Sequence, residues 1–469
     1  MKVLMAEKTD DIAKAAKDET LDVTSGVIWK QLIQLYFPIF LSAFMQQLYA
    51  FMNTWIVGQF AGKEAVGGIQ VTMPLTDLAV GFAIGVGAGC AVIVGQHFGA
   101  HDYKRLAQSI HTAMGISIVG GFLFAVGGVL LVPWLLSLMS TPAYLMPTAT
   151  IYAQIYFAAL VFSLIYNMGS SLMRALGDSR TPSVIIAAAL VFNLILDFIF
   201  VALLGWQAVG CGIATLLSYC FAAGLVVWKL SRASGPWRLV ISQIRINKKI
   251  ARIMLLTGLP LGVQSAAYSI SNIIAQADIN AFGVDAATGW GLGARIDGII
   301  WQSADALGVA VTAFSAQNFG ARRYDRMRQG VKVSTALSLV LVGVFSILVF
   351  VYAEKAGYFF LNDAAVVGFS TFSVRFIAPF YVIYALTVNI SGIIRGSGES
   401  VRPMVITLFG TCLLRVVWLL FVVPIYHSIE TVLLSYPITW FITAVIYIVY
   451  YRTGRWLVAA KKKEQKRAV

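Results

Sequence analysis

Twelve long apolar stretches, separated by short polar breaks, run the length of the chain. They cover about 31–57, 68–95, 108–138, 147–173, 182–204 and 209–231, then 255–281, 298–318, 332–354, 370–394, 403–425 and 429–451. Each is about 20 residues or longer, enough to cross the hydrocarbon of a bilayer as a helix. A lone segment satisfies its backbone there only as a helix. The pattern therefore predicts an all-α membrane protein with twelve transmembrane helices.

The breaks repeat. Gln96-His97-Phe98-Gly99-Ala100 returns as Gln317-Asn318-Phe319-Gly320-Ala321, at an offset of 221 in the numbering, and Arg105 meets Arg326 at the same offset. Arg174-Ala175-Leu176-Gly177-Asp178-Ser179 returns as Arg395-Gly396-Ser397-Gly398-Glu399-Ser400, again at 221. Near the start of each half, Pro38 matches Pro260 and Phe60 matches Phe282 at 222. Three blocks in register mark a duplicated chain. Six spans per copy is an even number, so both copies have one orientation, related by an axis along the membrane normal. The expected organisation is a tail (1–30), a first lobe (31–232), a basic linker (233–254), a second lobe (255–455) and a basic tail (456–469).

Composition agrees with this reading. Of 469 residues, 59% are hydrophobic and 12% charged, against about 25% charged in soluble proteins. The first thirty residues are polar and charged, with no apolar core of signal-peptide length, and are expected to be cytosolic. A net charge of +14 raises the question of nucleic acid, but its distribution answers otherwise. Most Lys and Arg lie in the tails and alternate loops; the opposite loops hold Lys63 and Lys355, with Arg295 near the start of the eighth span. By the positive-inside rule both termini face the cytoplasm, with the linker and the C-terminal tail at an anionic leaflet. Cys90, Cys211, Cys220 and Cys412 stand singly in apolar runs and read as small buried hydrophobes. The glycines of Gly81–Gly89 read as a surface for close helix approach.

Ionisable groups at membrane depth are expensive, and so mark functional sites. Asp197 is the clearest, with Asn193 one helical turn earlier on the same face. Thr215 lies as far past the turn near Trp206 as Asp197 lies before it. Asn167 and Asn193 straddle the loop near Arg180, and Asn53 sits at matching depth in the first span. These five are expected to converge as an ion site in the first lobe. One carboxyl among oxygen donors can hold a proton or a hard cation. At the 221 offset, Asn193, Asp197 and Thr215 become Leu414, Trp418 and Tyr436. The carboxylate is thus not duplicated, which favours a specialised role in one lobe.

Asp77 and Asp297 are candidates for lining a substrate cavity, with Tyr49, Met52 and Tyr156. Asp278 and Asp305 are further intramembrane acids. Arg375 and Arg415 are expected to snorkel or to pair with a carboxylate, and His111 to lie near the inner interface. Nucleotide, catalytic-triad and metal-histidine motifs do not appear, which leaves an ion gradient as the energy source and makes an enzyme the least favoured reading. An apolar cleft with aromatic faces and a few carboxylates suits amphipathic organic cations.

The paired Gln-x-Phe-Gly-Ala loops, Arg174–Pro182 and Asn193-Leu-Ile-Leu-Asp197 together resemble the multidrug and toxic compound extrusion (MATE) family, in its bacterial DinF-like branch, over about residues 31–455. The resemblance implies a two-lobed, twelve-helix exporter of cationic drugs driven by Na+ or H+. It places the ion-coupling cluster at Asn193, Asp197, Thr215 and Asn167, and allows Na+ at Asp197, Asn193 and Thr215. It also implies a departure. Asn53-Thr54 stands where the family commonly has Asp-Thr, and an amide cannot take up a proton at neutral pH, so Asp197 would carry coupling alone. Tyr268 and Tyr384 occupy the places of the acidic pair of the NorM-like branch. The expectation is a monomeric, cation-coupled antiporter of the bacterial cytoplasmic membrane with small organic cations as substrates and no organic cofactor. A lipid-linked oligosaccharide flippase with a cationic cleft is the alternative, and a non-transporting scaffold is a further one.

Overall fold

The computed structural model describes residues 20–139 and 141–468. Among them there are helices and no strand. Twelve helices are long and apolar enough to cross a membrane: α1 Ile28–Phe60, α2 Gly62–Gly99, α3 Tyr103–Leu138, α4 Met146–Ala175, α5 Arg180–Leu203, α6 Gln207–Ser231, α7 Lys248–Asn280, α8 Val284–Gly320, α9 Tyr324–Phe360, α10 Ala364–Gly396, α11 Val401–Tyr426 and α12 Ile429–Arg452. A thirteenth, α13 Arg455–Ala468, is too polar to cross. The spans expected from the sequence all appear. Most are longer than their apolar cores, because the helices continue into the polar breaks.

By packing, the chain divides into two units. One joins residues 20–22 to Leu41–Gly262, and the other joins Val23–Phe40 to residues 263–468. Relative to lobes cut at 31–232 and 255–455, the units exchange the first halves of α1 and α7. The cuts fall after Phe40 and after Gly262, each just past the matched prolines Pro38 and Pro260, so they keep the same offset of 222. A proline inside a helix removes one backbone hydrogen bond and crowds the preceding turn, so each helix carries a weak point where its packing partners change.

The repeated loops adopt one geometry twice. After α2, Ala100 N–H donates to Gln96 O (3.0 Å) and His101 N–H to Phe98 O (3.0 Å); after α8, Ala321 and Arg322 do the same to Gln317 and Phe319, both at 3.0 Å. His101 and Arg322 take the left-handed conformation with φ of 54° and 58°. The other pair turns on Gly177 and Gly398, at φ of 91° and 84°, where a side chain would be strained. The Phe-Gly-Ala loops are joints, and their equality belongs to the scaffold.

In the first unit, α2 and α7 touch through glycines. A Cβ on Gly89 would lie 2.2 Å from Gly258 Cα, and one on Gly85 would lie 2.5 Å from Gly262 N. The Gly81–Gly89 run serves the close approach read from the sequence. His111 of α3 is buried and donates through Nδ1 to Ala107 O at 2.7 Å, while Nε2 accepts from Val240 N–H at 3.1 Å. Asn247 N–H donates to Thr112 Oγ1 at 3.3 Å. The basic linker is thereby pinned to α3.

Candidate functional site

Three helices of the first unit each present a polar pair one turn apart: Tyr49 and Asn53 on α1, Asn193 and Asp197 on α5, Cys211 and Thr215 on α6. A spacing of four residues puts both members on one face, and the apolar remainder of each helix packs around them. Tyr49 Oη donates to Asn193 Oδ1. The Cys211 thiol donates to Asn53 Oδ1 at 3.4 Å. α1 is thus tied to α5 by one bond and to α6 by the other.

Asp197 is 0% exposed; the Cys211 thiol is its polar neighbour, but neither carboxylate oxygen meets the geometry of a hydrogen bond with a partner among the described residues. Asn193 Nδ2 also lacks one. Buried polar groups are nearly always hydrogen-bonded, so this orphaned carboxyl is unusual. Immediately after Asp197 the helix widens into a π-turn, Phe198–Leu203. Such turns are rare and are frequent at functional sites.

In front of this cluster lies a cavity of about 180 Å³. Tyr49, Asn53, Asp77, Tyr152, Tyr156 and Thr215 contribute to its wall, with Tyr219 beside them. Asp77 is exposed on α2, where Gln70, Thr72 and Thr76 of the same helix also line the cavity. Aromatic and apolar faces with one acid and a few hydroxyls make a wall suited to an amphipathic guest.

Of the residues singled out from the sequence, Asn53, Thr215, Tyr49, Asp77 and Tyr156 lie in this wall, with Asn193 and Asp197 close behind it. Asn167 does not join them. Its Nδ2 donates within α4, to Ser163 O at 2.9 Å and Ser163 Oγ at 3.2 Å. Met52 is exposed and is not part of the wall. Asp297 belongs to the other unit, where it accepts from Tyr381 Oη; Asp305 accepts there from Tyr384 Oη at 2.9 Å. Those two tyrosines, with Trp301, Tyr436 and Trp440, form an aromatic layer with ring centroids 4.3–5.9 Å apart.

Two readings need correction. Cys211 is buried, as expected of a small hydrophobe, yet its thiol holds Asn53. Its position four residues before Thr215 was the signal that it shared the polar face. Arg415 does not snorkel, and it pairs with no acid among the described residues. It is fully buried and donates from Nη1 to Asn272 Oδ1 at 2.9 Å. Arg375 does approach a carboxylate, Glu354, at 3.8 Å.

The MatE family model matches the chain twice, over residues 38–199 and 260–421. The matches have equal length and start at Pro38 and Pro260, the pair that the internal repeat sets at an offset of 222. A relative named probable multidrug resistance protein YoeA, from Bacillus subtilis (strain 168), is 26% identical, over 91% of this chain and 94% of its own. An FAD transporter from Shewanella oneidensis is 25% identical, over 78% of this chain and 83% of its own. A solved structure described as the outward-facing conformation of a multidrug resistance MATE family transporter superposes with a TM-score of 0.87. It covers 95% of this chain and 99% of the other at 19% identity, a likeness of fold. Twelve spans, a sixfold helical unit repeated in the same order, and a family model that fits both copies lead to one conclusion: the chain belongs to the MatE family, the multi-pass membrane transporters of multidrug and toxic compound extrusion.

Proposed function

We propose that the protein is a cation-coupled antiporter that exports amphipathic organic cations from the bacterial cytoplasm, working as a monomer in the cytoplasmic membrane with both termini inside. The observation that carries this reading is the Asp197 carboxyl, fully buried, without a well-formed hydrogen bond among the described residues, and set behind a cavity of the first unit. An unpartnered buried carboxylate is costly unless it gains a proton or a cation. Uptake of either at Asp197 would change what α5 and α6 can pack against, and the Tyr49–Asn193 and Asn53–Cys211 bonds would carry that change to α1 and the cavity wall. Ion uptake and guest release would then be coupled through one helix.

Two coupling ions fit in different ways. A proton needs only Asp197. Na+ needs several oxygens, and Asp197, Thr215 and Asn193 would hold it, with Asn193 Oδ1 shared with Tyr49. The relatives named as multidrug resistance proteins support export of varied small molecules. The alternative, a flippase for lipid-linked oligosaccharides, calls for a cationic wall to meet its pyrophosphate; the charged residue in this wall is Asp77.

The test is efflux of a cationic dye, rhodamine 6G, from proteoliposomes holding the purified full chain, under an imposed pH gradient or an imposed Na+ gradient. The proposal predicts dye movement against its own gradient with one of the two and none without either. Equal dye movement with and without gradients would sink it.

A further inference from the structure

In the second unit, Arg415 lies in the middle of α11, just past the π-turn Leu408–Leu413. Its side chain is 0% exposed. Its Cζ stands 4.0 Å from the ring centroid of Tyr436 on α12, and Nη1 is taken by Asn272 of α7. Nε and Nη2 have no partner among the described residues. Those two atoms form one edge of the guanidinium plane, two parallel N–H donors in the fork that matches a carboxylate or phosphate. A buried cation left without a counter-charge is strongly unfavourable. Among the described residues no acid of the unit forms an ion pair with it: the hydrogen bonds of Asp297 and Asp305 are to Tyr381 and Tyr384, and Asp278 of α7 is not within ion-pair distance.

The duplication sharpens this. The two family matches begin and end at an offset of 222, while the loops within them lie at 221; at the offset of the match ends, Arg415 stands where Asn193 stands in the first unit. Asn272 corresponds to Ala50, next to Tyr49, and Tyr436 is adjacent to the counterpart of Thr215. The same three helices of each copy therefore build a polar place at the corresponding position of the fold, acidic in the first unit through Asp197 and basic in the second through Arg415. Around the second one, Tyr436 contacts Trp290 and Trp440 at centroid distances of 5.6 and 5.9 Å, while Asn272 remains exposed and leaves the α7 edge open.

We propose that Arg415, Asn272 and Tyr436 form a binding site for an anionic group, a carboxylate or a phosphate, carried on a planar aromatic molecule. The free fork of Arg415 takes the anion, the Asn272 edge is the entrance, and the partly exposed Trp290 and Trp301 offer a face to the planar body, Tyr436 and Trp440 being buried behind them. The site goes beyond the export reading by adding a second recognition point and widening the cargo to zwitterionic or anionic aromatics. It relies on that reading only in regarding the bound molecule as cargo.

Equilibrium binding to the purified full chain in detergent tests it without any gradient, so a failure of ion coupling at Asp197 leaves this result untouched. The probes are naphthalene-2-carboxylate, naphthalene-2-methanol, chloride and inorganic phosphate, read by tryptophan fluorescence and calorimetry. The wild-type protein is expected to bind the carboxylate at least about tenfold more tightly than the alcohol, the discrimination one charged hydrogen-bond pair supplies. Arg415→Gln should collapse that ratio towards one, and Arg415→Lys should keep part of it. Equal binding of acid and alcohol by the wild type would overturn the proposal, as would an Arg415→Gln ratio equal to the wild type's. Chloride or phosphate binding as tightly as the naphthoate would also overturn it, by showing a site for a free ion rather than for cargo. Should Arg415→Gln fail to fold, the wild-type comparisons decide alone.

Discussion

Gly89→Ala is the smallest change that probes the close approach of α2 and α7. The added Cβ would meet Gly258 Cα at 2.2 Å, Gly258 N at 2.4 Å and Thr257 C at 2.8 Å, where ordinary contact begins at 3.4 Å. All three atoms are backbone, so no rotamer change can relieve the overlap, and the helices must separate by about 1 Å. Overpacking of this kind costs about 1–3 kcal/mol. For a unit of about 200 residues each kcal/mol lowers Tm by about 2–4 °C, so thermal unfolding in detergent should shift down by about 2–12 °C. Gly127→Ala is the control, because a Cβ there meets nothing within 4 Å, and alanine favours a helix over glycine by up to about 1 kcal/mol. A Gly89→Ala protein as stable as Gly127→Ala would refute the argument that these glycines exist for helix contact.

The duplicated arginines should behave unlike each other. Arg326 donates to Gly26 O (2.9 Å), Val23 O (3.1 Å), Ser25 O (3.3 Å), Gln31 Oε1 (3.1 Å) and Asn318 Oδ1 (3.2 Å). Arg326→Ala should cost about 3 kcal/mol or more, seen as faster hydrogen exchange across residues 23–31. Arg105, at the equivalent place, is half-exposed and reaches Asp102 at 3.5 Å, so Arg105→Ala should change stability by less than about 1 kcal/mol; equal effects would contradict the reading. His111→Ala should orphan Val240 N–H and release the linker, with trypsin cutting after Arg238 or Arg245 roughly tenfold faster. Unchanged cleavage would show that His111 does not pin it.

The spans were legible because hydrocarbon length and backbone satisfaction constrain any crossing segment, whatever its partners. The joints were legible because Phe-Gly-Ala and Arg-x-x-Gly appear twice. The first-unit cluster was partly legible: Asn193 with Asp197, and Asn53 with Thr215, follow from helical spacing and depth. Other features depend on packing that leaves little trace in the sequence. The π-turn after Asp197 is made of Phe198-Ile-Phe-Val-Ala-Leu203, an ordinary apolar run. The exchange of half-helices at Pro38 and Pro260 shows only in what each half touches. Asn167 was placed by depth and by the family resemblance, and neither says which way a side chain turns; it bonds to Ser163. Arg415 was missed as a counterpart of Asn193 because the loops give an offset of 221 whereas the family matches give 222. One residue of slippage on a helix moves a position by about 100°, enough to put Leu414 in its place.

The central claim is that Asp197 couples an ion to export. The most direct measurement is gradient-driven rhodamine 6G efflux from proteoliposomes holding Asp197→Asn, with dye binding to the same protein measured in detergent. Asparagine keeps the shape and removes the ability to exchange a proton or neutralise a cation. The account predicts efflux reduced to the level of protein-free vesicles, with dye affinity within about threefold of wild type, a difference of less than about 1 kcal/mol. Wild-type efflux by Asp197→Asn would contradict it.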